Sequence, residues 1–160
     1  MASWSEFAVA EPQLASAIQE LVHQYGPGLG YLATIRPDGG PRVHPVSPVI
    51  NEQGFYCFII DSPKRRDLER DGRYALHAFP PESSDDEAYV AGVAKPVSDR
   101  ARVHELALQM RAEPQVDWRL FEFSVDVAMV VRRRSSPTGG SGGSGGRATA
   151  RRVWRDPERG

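Results

Sequence analysis

The sequence predicts a mainly β protein: an antiparallel barrel, closed or partly closed, of six to seven strands with three peripheral helices. Three observations carry this expectation. Between residues 29 and 97, short apolar segments are separated by tight turns rich in Gly, Pro, Asn and Asp. Beyond that series the pattern changes to strict alternation, with Phe121, Phe123, Val125, Val127, Met129 and Val131 on one face. Only residues 55–79 read as strand, helix, strand, so a doubly wound parallel sheet is disfavoured.

Taken in order, Leu14, Ile18, Leu21, Val22 and Tyr25 form an amphipathic helical stripe that Pro12 opens and Gly26-Pro27 stops. Residues 29–35 form a strand ending in the turn Arg36-Pro37-Asp38-Gly39-Gly40. Residues 42–50 continue extended, with Pro45 and Pro48 excluding a helix. After the turn at Asn51-Glu52-Gln53-Gly54, residues 55–60 are almost wholly apolar, the pattern of a strand covered on both faces. Ser62 as N-cap, Pro63 at the first helical position and Gly72 as terminator define a helix of about two turns.

Residues 73–79 return to strand, and residues 80–87 form an acidic loop. Residues 88–97 are a strand in which Gly92 marks a bulge or a close backbone approach. Ser98 or Asp99 caps a third helix with the stripe Val103, Leu106, Ala107 and Met110. The alternating strand follows. A Gly/Ser-rich loop spans 135–147, and residues 148–155 have strand character. The whole reads as one domain over 1–160, with its first helix inside 1–27.

Composition narrows the function. With 40% hydrophobic and 26% charged residues, the 160-residue chain has enough apolar material for a real core. A net charge of −1 excludes a uniformly basic nucleic-acid binder. No apolar run approaches the roughly 18 residues of a membrane span. A single cysteine, Cys57, excludes a disulfide framework and a cysteine zinc cage. The opening residues lack the basic and apolar regions of a secretory signal, so the expected compartment is the cytoplasm.

Charge concentrates at one informative place. Lys64, Arg65 and Arg66 fall in the first turn of the 62–72 helix, where the macrodipole is already positive. Three cations there are unfavourable unless an anion joins them or nearby acids offset them. A phosphate would be held by free backbone N–H groups, the Ser62 hydroxyl, Lys64 and Arg65; Asp61, Asp67, Glu69 and Asp71 are the competing explanation. Arg42, on the strand expected to pair with 55–60 through the 51–54 turn, would supply a second cationic arm.

Residues 32–46, Leu-Ala-Thr-Ile-Arg-Pro-Asp-Gly-Gly-Pro-Arg-Val-His-Pro-Val, resemble the opening of the pyridoxamine 5′-phosphate oxidase-like split-barrel flavoproteins. So do Phe55-Tyr56-Cys57-Phe58 and Ser62-Pro63-Lys64-Arg65-Arg66-Asp67-Leu68, and the resemblance in order and spacing spans residues 29–97. It implies a homodimer of split barrels that binds FMN at the subunit interface. By the same resemblance, Arg42 and Lys64 bind the FMN phosphate. Val43, His44, Pro45, Val46 and Ser47 flank the ring, with Cys57 and Phe58 at the end of the third strand and Ser62 at the helix cap. The implied activity is that of a flavin-dependent oxidoreductase with an unidentified substrate. Relatives of this size also include enzymes using the deazaflavin F420 and haem-binding proteins without turnover.

Two departures separate the chain from the vitamin-producing oxidases. Pro63 stands where they carry a basic residue before the lysine, and residues 153–159 lack their C-terminal His and Arg motif. Vitamin B6 oxidation is not expected.

The remaining candidates read as structure. His23, His77 and His104 are expected to be structural, and no histidine pair has a metal-binding helical spacing. Cys57 reads as a small core residue. Trp118 and Phe121 read as dimer core or as a cover for the flavin, and Trp154 as either. Residues 131–160 carry eight arginines against two acids. This basic end reads as a solvated hairpin rather than a nucleic-acid surface, because aromatic interleaving is sparse.

Overall fold

Two antiparallel half-sheets share one long strand and together curl into a split barrel. The computed structural model describes residues 1–134 and 148–159. The chain opens with helices α1 (Trp4–Ala10) and α2 (Pro12–Val22), then strands β1 (Gly30–Ile35), β2 (Pro41–Val46), β3 (Pro48–Asn51) and β4 (Gly54–Ile60). Helix α3 (Pro63–Arg70) leads into β5 (Arg73–Ala78), β6 (Glu87–Pro96) and helix α4 (Arg100–Gln109). Strands β7 (Trp118–Phe123), β8 (Val127–Arg134) and β9 (Ala148–Arg155) complete it. One half-sheet runs β2-β1-β5-β6-β8-β9, the other β6-β7-β4-β3. The mainly β barrel is thus as expected. It has nine strands and four α-helices among the described residues, where the sequence suggested six or seven and three.

The extra strands come from two breaks. Residues 42–50, expected as one segment, divide at Ser47, and β2 pairs with β1 whereas β3 pairs with β4. The alternating stretch 121–131 divides at residues 124–126, where the chain leaves one half-sheet and enters the other. Gly92 marks the matching switch on β6, which pairs with β8 as far as Ala91 and with β7 from Ala94. A Cβ at Gly92 would lie 2.1 Å from the Ser124 carbonyl oxygen, so the close backbone approach suggested by the sequence is real.

Helix α1 was not expected. Ser3 Oγ accepts from the Glu6 N–H at 3.2 Å while the Glu6 carboxylate accepts from the Ser3 N–H at 2.7 Å, a capping box. Together with α2 it brings Trp4, Phe7, Leu14, Ile18 and Leu21 into the core. There they meet Leu32, Phe55, Cys57, Leu76, Val90, Phe121 and Phe123 from the strands. Phe55 stacks on Phe123 at 5.0 Å, and Tyr74 meets Phe123 edge-on at 4.6 Å. Helix α2 stops at Val22, so Tyr25 lies beyond it and donates its hydroxyl to the Pro80 carbonyl.

The outer face of the larger half-sheet stays open. Pro45, Tyr31, His77, Tyr89, Met129 and Val153 form one cross-strand row from β2 to β9. Val43, Ala33, Ala75, Ala91, Val127 and Arg155 form the next. None of these residues is buried, and Val43 and Tyr31 are 59% and 43% exposed. No helix among the described residues is long and apolar enough to cross a membrane.

Candidate functional site

The turn from β4 into α3 resolves the cationic cluster. Arg65 forks onto the Asp117 carboxylate, with Nη1 at 2.9 Å and Nη2 at 3.1 Å, and also meets Asp61 at 3.0 Å. Arg66 meets Asp61 at 3.0 Å. Arg70 donates to Asp67 and to the Ile35 carbonyl. Lys64 makes no hydrogen bond or ion pair among the described residues. Ser62 occupies the N-cap but does not cap with its side chain; its hydroxyl donates to the Ile60 carbonyl at 2.8 Å. Of the three cations in the first turn, two are neutralised and one ammonium is open.

Lys64 lines a groove of about 320 Å³ together with Leu29, Pro45, Val46, Ser47, Phe58 and Ile60. Five of the residues expected at the site therefore line one groove: Pro45, Val46, Ser47, Phe58 and Lys64. Its position follows from the fold. The chain leaves β2 at Ser47, β4 ends at Ile60, and α3 starts immediately beyond. Trp118, paired with Ile60 on the neighbouring strand, sets its ring edge-on to Phe58 at 4.8 Å.

Arg42 reaches the same helix by a different route from the one expected. It does not face β4 across a ladder; it lies on β2 opposite Thr34 of β1. From there its Nε donates to Asp67 Oδ2 at 2.7 Å, and the Thr34 hydroxyl donates to the same oxygen at 2.9 Å. Asp67 is only 2% exposed. Burial pushes its carboxyl up, but the Arg42 and Thr34 bonds outweigh that and leave it below the usual carboxylate range. Sequence reasoning missed this residue, because an acid inside a basic helix reads as simple charge balance.

The other expected site residues lie around the groove without lining it. His44 is half-buried on the Arg42 side of β2, opposite Leu32, while Val43 points to the open sheet face. Cys57 faces the core at 1% exposure, and burial pushes its thiol up to about 12. It contributes packing and no thiolate. Ser62 and Arg65 are held as described above.

Two further histidines are resolved by their bonds. His23 Nε2 accepts from the Ile50 N–H at 3.2 Å, a structural role. His77 Nδ1 lies 2.6 Å from the Ala78 carbonyl oxygen. A carbonyl only accepts, so Nδ1 is the donor in this contact. No group of three metal-ligating side chains occurs among the described residues. Four arginines of the basic C-terminal stretch are paired: Arg132 with Glu20 and Asp86, Arg133 with Glu87, Arg152 with Glu11 and Arg159 with Asp126. Trp154 packs on Phe7 at 4.9 Å. The Gly/Ser-rich segment 135–147 lies outside the described residues.

The fold and groove together define a split-barrel protein with an open lysine among the mainly apolar residues that line a cleft. The family model for pyridoxamine 5′-phosphate oxidase matches residues 14–130, and the chain belongs to that family. Among solved structures it is similar to HutZ, a haem storage protein from Vibrio cholerae, at 22% identity and a TM-score of 0.56, covering 72% of this chain and 89% of that one. It is also similar to HupZ from Group A Streptococcus, at 16% identity and a TM-score of 0.60, over 71% of this chain and 90% of that one. A third is a putative pyridoxamine 5′-phosphate oxidase from Listeria innocua, at 12% identity and a TM-score of 0.58, over 72% and 95%. At these identities the likeness speaks for the fold. None of the curated proteins matches the chain.

Proposed function

We propose that the protein binds FMN in the groove beside α3, at an interface between two copies of the chain, and acts as a flavin-dependent oxidoreductase. The observation that carries this reading is that Lys64, without a partner among the described residues, lines a cleft whose other walls are mainly apolar. Lys64 and the Nη groups of Arg42 would hold the phosphate, helped by the first-turn N–H groups of α3. Pro45, Val46, Ser47 and Phe58 would lie against the ring. Arg65 suits this task less well than its charge suggests, since Asp117 already occupies its fork.

The residues present fit a phosphorylated, flat, largely apolar ligand. When bound, a flavin supplies the hydride or electron chemistry itself. The chain's own part is to bind the phosphate, fix the ring's orientation and keep water from the cleft. The deazaflavin F420 also presents a phosphate, so an F420-dependent reductase would use the same cations.

A second copy seated on the open sheet face would cover Tyr31, Val43, His77 and Tyr89. Pro45 belongs both to that face and to the groove, so the partner would border the bound ring. Flavin fluorescence titration tests the proposal. FMN is expected to bind far more tightly than riboflavin, which lacks the phosphate; equal affinity overturns the phosphate assignment.

Haem binding without turnover is the second reading, and one observation favours it. His77 stands between Tyr31 and Tyr89 on the open face, and its Nδ1 contact with the Ala78 carbonyl leaves Nε2 as the nitrogen that would ligate iron. Titration with hemin separates the two readings. A Soret shift that His77→Ala abolishes supports haem, and its absence leaves the flavin reading.

A further inference from the structure

Arg42 holds Asp67 in an unusual way for a buried arginine–carboxylate pair. Where such a pair serves stability alone, the planar guanidinium favours a two-bond fork onto both carboxylate oxygens. Here the contact is a single bond from Nε to Oδ2, and neither Nη group has a partner among the described residues. The second carboxylate oxygen is taken instead by Arg70, at 3.4 Å, and Thr34 shares Oδ2. Arg42 remains 27% exposed while Asp67 is 2% exposed. A buried acid thus grips the stem of the guanidinium and leaves its two-pronged end open.

The open end is anchored one turn of α3 away from Lys64. Lys64 precedes Asp67 by three residues on α3, so the two share one face of the helix, with Cβ atoms about 5–6 Å apart. A side chain anchored on Asp67 is brought next to Lys64. The other cations of α3 are occupied by Asp117, Asp61, Asp67 or a backbone carbonyl.

We infer that Asp67 is the positioning residue of the phosphate subsite: it draws Arg42 from β2 onto α3 and presents the two Nη groups, alongside Lys64, to a phosphate monoester. This inference rests on the phosphate reading of the groove. It makes a prediction opposite in sign to simple electrostatics. Removing a negative charge beside two cations should tighten anion binding; removing the group that aims one of those cations should weaken it.

The test compares FMN and riboflavin binding to the wild-type protein, Asp67→Asn and Thr34→Val, with thermal melting of each to follow folding. Asp67→Asn is expected to lower the FMN-to-riboflavin affinity ratio at least tenfold. Thr34→Val, which removes only the second bond to Oδ2, should lower it less and in the same direction. A merely structural role would weaken both ligands alike and leave the ratio unchanged. If Asp67→Asn fails to fold, Thr34→Val alone decides by the same ratio. A ratio that stays constant or rises in a folded variant, while the wild type prefers FMN, overturns this inference and leaves the phosphate reading standing. A wild type without that preference overturns both.

Discussion

Thr34 and Arg42 face each other across the β1–β2 ladder and converge on one oxygen, Oδ2 of Asp67. The hairpin sets the spacing of the two donors, and the helix supplies the acceptor. The position of α3, and with it the groove, is therefore tied to the first hairpin of the barrel.

Lys64→Ala combined with Arg42→Ala should weaken FMN binding strongly and riboflavin binding little. A charge-assisted hydrogen bond contributes about 1.5–3 kcal/mol, so each substitution should raise the FMN Kd by at least tenfold. Calorimetric titration with both ligands reads this directly.

Stability should fall in acid. The Asp67 carboxyl is lowered in the folded protein, so its contribution is fully present above the ordinary carboxylate value of about 3.9. It is lost as pH drops through the lower folded value. Asp71, held to about 2 by bonds from Arg73, acts in the same direction. Urea denaturation at pH 7 and pH 2 should show Asp67→Asn less stable than wild type at pH 7, with the gap closing at pH 2. A gap of equal size at both pH values would contradict this.

Cys57 should resist modification. With the thiol buried and pushed up to about 12, aromatic disulfide reagents at pH 8 should leave the native protein untouched and label it stoichiometrically in denaturant. Rapid labelling of the folded protein would show that β4 opens.

Gly92→Ala should destabilise by about 3 kcal/mol, since its methyl group would sit 2.1 Å from the Ser124 oxygen. The melting temperature should drop by roughly 9 °C. Calorimetry provides the measurement, and a drop of a degree or less would mean that the β7–β8 crossing yields easily.

Val43→Glu places a charge on the edge strand of the open sheet face without entering the groove lining. Sedimentation velocity should show the wild type as a dimer and the variant as a monomer. Two dimers, or two monomers, would remove that face from the assembly.

Most strands were legible because alternation and turn chemistry are local. The segment 55–60 and the turn at residues 36–40 declare themselves within a few residues. The breaks at Ser47 and at residues 124–126 were not legible, since extended character runs through both and only the partner strand changes. Helix α1 did carry a signal, Ser3 and Glu6 at capping-box spacing, but seven residues are too few for a convincing stripe. At the site, Lys64 was visible as a cation out of place at a helix start. The anchoring of Arg42 was not, because Asp67 lies 25 residues away and meets it only once α3 docks.

The two end strands of the sheet path, β2 and β3, are joined only covalently, through Ser47. Pro41, Pro45 and Pro48 sit on those strands and lack the amide hydrogen that zippering would require. Slippage, closure of the slit, and recruitment of a foreign strand are all discouraged by the same three rings. A cleft maintained by missing donors needs no dedicated loop to prop it apart, so drift elsewhere in the chain can alter what the slit admits while leaving the slit itself in place.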